Sequence, residues 1–216
     1  MAEADAVSTT SIKRMIVEPA LITLALTLLR LEGELAHWLP NTTWFSTAPG
    51  GPGPLAAAMA LLPPVFGGYF ALRLARLGNG PVNARSAVGY GVLGAFILLY
   101  CVYFLLGDRS TFDVVLGYML VILAAVLQFS AWPRFAATLL AYAYAARVPV
   151  VMVMLLARAG HWGTHFETLP PGHPDSGFVG FALSTQLIFW VAYTIVAGAL
   201  LGSIGAAFVD RGTPQT

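Results

Sequence analysis

The chain has 216 residues, of which 58% are hydrophobic and only 10% charged, and its mean hydropathy is +0.77. A soluble domain carries about 25% charged residues, so a water-soluble enzyme or regulator is excluded. The formal net charge of +1 provides no basic field for nucleic acid, and a single cysteine, Cys101, excludes an internal disulfide.

Residues 1–11 are small and polar and lack a basic segment ahead of an apolar core, so they are not a cleaved signal, and residues 1–14 read as a polar N-terminal tail. A helix needs about 20 mostly apolar residues to cross the bilayer. Six stretches qualify, at 15–39, 55–77, 87–107, 112–132, 135–158 and 179–208, and residues 209–216 form a C-terminal tail. Pro/Gly-rich residues 40–54, the turn at 78–86, Gly107-Asp108-Arg109-Ser110, Trp132-Pro133-Arg134 and the loop at 159–178 separate them. The expected fold is an all-α, polytopic membrane bundle of six helices. Spans two and five both carry proline near their centres (Pro63-Pro64 and Pro149), a pattern that would fit two inverted three-helix halves.

In the first span Thr23, Thr27, Arg30, Glu34 and His37 recur at intervals of three and four, which places them on one helix face. Such a stripe cannot face lipid cheaply and must line a cavity or pair with other helices. In the fifth span Arg147 lies near mid-membrane, on a face shared with Tyr144, Met154 and Arg158. A charge there costs about 2.5–3.5 kcal/mol on insertion scales. It is expected to pair with a carboxylate of span one or four: Glu32, Glu34 or Asp113. Asp113, Gly117, Ala124 and Gln128 also share a face, so spans one, four and five are expected to meet around one cleft. The residues expected to line it are Arg30, Glu34, His37, Asp113, Arg147 and Arg158.

Lys13, Arg14, Arg73, Arg76, Arg85, Arg134 and Arg211 fall on one side of the six spans, and only Arg109 and Arg158 on the other. The positive-inside rule then places both termini in the cytoplasm and the cleft on the outer face of a bacterial-type inner (plasma) membrane. His37, His161, His165 and His173 all land outside. His161, His165 and Glu167 are the candidate zinc ligands, but Gly160 and Gly163 interrupt the helix that would hold the pair in register, and no H-E-x-x-H accompanies them. The preferred expectation is therefore a structural loop, with no metal and no cofactor.

Gly198, Gly202 and Ala206 at intervals of four form a close-packing face, within the bundle or between copies. No catalytic motif is present: Ser184-Thr185-Gln186 has no histidine or nucleophile-elbow context. The leading functional expectation is a non-enzymatic membrane protein that binds or transports a small polar solute or lipid headgroup. An accessory subunit of a larger membrane complex comes second, and a metal-dependent membrane hydrolase third.

Overall fold

The computed structural model describes residues 2–40, 42–105, 110–171 and 173–210. The turn at 107–109, with Asp108 and Arg109, and residues 211–216, with Arg211, lie outside them. The chain is all helix, with no strand among the described residues. The long helices are α1 (Ala2–Leu35), α2 (Pro54–Arg76), α3 (Ala84–Leu105), α4 (Thr111–Ala131) and α5 (Pro133–Gly160). The last span is composite: α6 (Phe178–Ser184), a π-helical turn (Thr185–Phe189) and α7 (Trp190–Asp210) run on as one path. Four helices and this path are long and apolar enough to cross a membrane; α1 is the sixth long helix, and its C-terminal part carries Arg30, Glu32 and Glu34. The protein is a helical integral membrane protein.

Helix ends follow local chemistry. Ser110 caps α4 through a capping box, its hydroxyl accepting from Asp113 N while the Asp113 carboxylate accepts from Ser110. Prolines occupy the first turns of α2 and α5, where a missing N–H costs nothing. α1 stops at Leu35 instead of running to 39, because His37 and Leu39 adopt left-handed backbone (φ 51° and 50°) ahead of Pro40. At its other end α1 begins at Ala2, so the backbone expected to be a polar tail is already helical.

α7 is the central helix and packs on α2, α3, α4 and α5. α1 leans on α5 and α2 and makes no contact with α7 among the described residues. The two three-helix halves are not equivalent in this packing: α7 is enclosed, whereas among the described residues its counterpart α3 meets only α4 and α7. The α2–α7 seam is backbone against backbone. A β-carbon at Gly67 would fall on Gly198, and one at Gly202 would strike the Phe135 ring and the Gly67 carbonyl. Gly198, Gly202 and the buried Ala206 thus pack within the bundle. Pro64 has no N–H for the Ala60 carbonyl, and the Tyr193 hydroxyl donates to that carbonyl instead at 2.8 Å. Tyr142 of α5 packs edge-on against Phe66 and Phe70 of α2, and its hydroxyl pairs with Thr23 of α1 at 2.9 Å.

Gly67 and Gly68 are neighbours with opposite surroundings, since a β-carbon at Gly68 meets open space. Gly67→Ala should destabilise by about 1–3 kcal/mol through overpacking, while Gly68→Ala stays within about 0.5 kcal/mol of the parent. Reversible unfolding in mixed micelles, followed by loss of helicity, makes the comparison.

Candidate functional site

A cavity of about 330 Å³ lies among α1, α2, α5 and the composite last span. α1 contributes Thr27 and Arg30, α2 contributes Ala56, Met59 and Ala60, and α5 contributes Arg147, Val150 and Met154. The α6–α7 path adds Phe181, Thr185, Gln186, Phe189 and Trp190, and the loop after α5 adds His165, Phe166 and Thr168. The walls are mostly apolar, and the polar groups gather at two places.

The first is a knot around Glu34, which is 1% exposed. One carboxylate oxygen accepts from Arg30 Nε at 2.9 Å and contacts His165 Nδ1 at 2.5 Å; the other accepts from the His165 backbone N–H at 2.9 Å. Arg30 Nη2 then donates to the Gly51 carbonyl at 2.5 Å. A single carboxylate thereby ties the end of α1 to the loops at 36–53 and 161–177. Helical spacing puts Arg30 one turn before Glu34, which makes this ion pair local to α1. Gly51, at φ 53°, lets its loop approach closely: a β-carbon there would collide with Arg30 and His165.

Burial pushes the His165 imidazole below its ordinary pKa most strongly; the bond to Glu34 pulls it back, and the Arg30 charge acts with burial. At neutral pH His165 is therefore neutral and donates Nδ1–H to the Glu34 carboxylate, a tautomer assigned from that bond.

The second place is Arg147, 7% exposed near the middle of α5. The expected pairing with a carboxylate is not what the structure has. Its guanidinium lies over the Trp190 ring, 4.6 Å from the centroid, and Nε has no hydrogen-bond partner. Among the described residues no ion pair includes it. Each expected carboxylate is placed or engaged elsewhere: Glu34 is taken by Arg30 and His165, Glu32 is exposed, and Asp113 caps α4. Buried Gln186 Oε1 also lacks a partner and lies one turn before Trp190.

The other expected cleft residues go elsewhere. His37 is exposed, turned off the stripe by its left-handed backbone. Asp113 is a cap, and no α4 residue lines the cavity. Gln128 of α4 donates instead to the Tyr90 and Ala124 carbonyls, pinning α4 to α3. Arg158 pairs with exposed Asp175 at 3.0 Å and lies over the Phe178 ring. The zinc candidates separate too. His161 is exposed and ends α5 in a left-handed cap, while the Glu167 carboxylate accepts from the backbone N–H groups of Trp162 and Gly163. Among the described residues no three His, Cys, Asp or Glu side chains converge as a metal site.

Trp190 and Gln186 were the site residues that spacing did not find, and His165, expected only as a candidate zinc ligand, is instead the partner of Glu34. The polar triplet Ser184-Thr185-Gln186 within an apolar span was the available signal, and the π-helical turn falls over it. Comparison with protein-family models, curated proteins and solved structures finds no match.

The depressed His165 value carries a sign. The unfolded imidazole takes up a proton near pH 6.5, whereas the native one resists it, so the unfolded state binds more protons as pH falls. Stability should be full above pH 6.5 and decline below it. Thermal unfolding at pH 7.5 and pH 5 should show a lower midpoint at pH 5, and His165→Gln should reduce that difference.

Proposed function

We propose that this chain is a non-enzymatic membrane protein whose cavity binds, and in a transport cycle carries, a small anionic solute, with Arg147 as anchor. One observation carries the reading: a guanidinium buried at mid-span has a cavity beside it and, among the described residues, no carboxylate against it. An arginine kept only to fix helix register would have its donor edge satisfied within the bundle. With His165 neutral, the site holds the guanidinium groups of Arg30 and Arg147 and one carboxylate, Glu34, which is bonded to Arg30 and His165, so it has an excess positive charge. Trp190 spreads over one face of the guanidinium, and the in-plane N–H donors remain for a ligand.

A small carboxylate at 100 times its Kd should stabilise the purified protein by about 2.7 kcal/mol. Arg147→Gln should lose that response; an equal response in the variant would refute Arg147 as anchor.

The same reading places both termini in the cytoplasm of an inner-type membrane and the His165 end of the cavity outside, on the strength of the lysine and arginine distribution. In a Cys101→Ala background, an impermeant maleimide added to intact cells should label Thr47→Cys and Ser176→Cys but not Asn83→Cys. Labelling of Asn83→Cys alone would reverse the orientation.

A further inference from the structure

The shape of the cavity names a class of ligand, an inference that rests on reading Arg147 as an anion anchor. Arg147 is 13 residues from Gly160 at the near end of α5, which at 1.5 Å per residue is about 20 Å of helix. The other end, Pro133, is 14 residues away, so the guanidinium sits at mid-span depth. The polar knot of Arg30, Glu34 and His165 belongs to the ends of α1 and the loops. Between these poles the wall is Met59, Val150, Met154, Phe166, Phe181 and Phe189. A small hydrophilic anion would leave that wall unused, with nothing to replace the water it would hold.

We propose that the ligand is an amphiphilic monocarboxylate. Its carboxylate sits on the in-plane edge of Arg147, whose Nε has no partner, and its apolar chain runs along the methionine and phenylalanine wall. The planar guanidinium edge, with its face covered by Trp190, matches a carboxylate in bidentate geometry. Depth disfavours a resident bilayer lipid as the source of the charge. Lipid headgroups lie at the interface, about 15 Å from the midplane, and a lipid bound from its own leaflet would bring its headgroup to the wrong pole. Phosphate and phosphate monoesters share the anionic chemistry and are arms of the test.

The full-length protein in phosphatidylcholine nanodiscs is titrated with acetate, butyrate, hexanoate and octanoate, with inorganic phosphate and hexyl phosphate, and with hexylammonium. Empty nanodiscs supply the partition background. Each added methylene should tighten binding roughly fourfold until the wall is filled. Phosphate and hexyl phosphate should bind more weakly than acetate and hexanoate respectively, and hexylammonium should not compete. Arg147→Gln should weaken hexanoate at least tenfold. Met154→Trp, which fills the wall and leaves Arg147 in place, should weaken hexanoate more than acetate. Arg147-dependent binding with equal affinity along the series overturns the amphiphile and leaves the anion site standing. Tighter binding of hexyl phosphate than of hexanoate overturns the carboxylate. Absence of saturable binding by every anion overturns this inference and the anion site together. The wild-type chain-length series decides the case even if Arg147→Gln fails to fold.

Discussion

A guanidinium in the middle of a bilayer-spanning helix must be neutralised, stacked or solvated, and the way Arg147 meets this constraint organises the rest of the site. It is stacked. Trp190 supplies its π-face, an attraction worth about 2 kcal/mol or more when desolvated, which is of the same size as the cost of placing arginine at that depth. Trp190 can stand there because the helix before it opens into a π-helical turn. That turn also turns Gln186 and Thr185 to the cavity. The stacking leaves the donor edge of Arg147 unused, and the unused edge is what separates a binding site from a register pin.

Why Arg147 lacks an anion is decided some distance away. The buried carboxylate of α1, Glu34, is saturated by Arg30 Nε and by both the ring and the backbone of His165. Removing one member of a buried pair leaves an uncompensated charge and costs about 3–5 kcal/mol, so the knot is not readily given up to Arg147. The same knot holds α1, whose helix neighbours among the described residues are α5 and α2, against loops from both sides of the cavity.

Much of the architecture was legible in the chain because hydropathy and punctuation act locally. The six spans, the proline and glycine breaks and the α1 stripe through Thr23, Thr27, Arg30 and Glu34 follow from helical period alone, and all four stripe residues are buried. His37 left the stripe because two left-handed residues end α1 a turn early, which periodicity cannot register. The partner choices were not legible. Whether Glu34 serves Arg30, His165 or Arg147 depends on which loop folds over the end of α1, a contact spanning 131 positions. Likewise Asp113 and Gln128 share a face with small residues, yet one serves as a cap and the other binds α3. Arg147 itself was conspicuous, but a tryptophan as its partner leaves no charge pattern in the sequence.

The central claim is that Arg147 keeps a free, anion-accepting edge inside the bundle. Anomalous diffraction from crystals soaked in bromide tests it most directly. The account predicts a bromide peak within hydrogen-bonding distance of the Arg147 guanidinium, enclosed by Gln186, Trp190 and Met154. Peaks confined to surface arginines, with a carboxylate of the protein seated on Arg147, would contradict it.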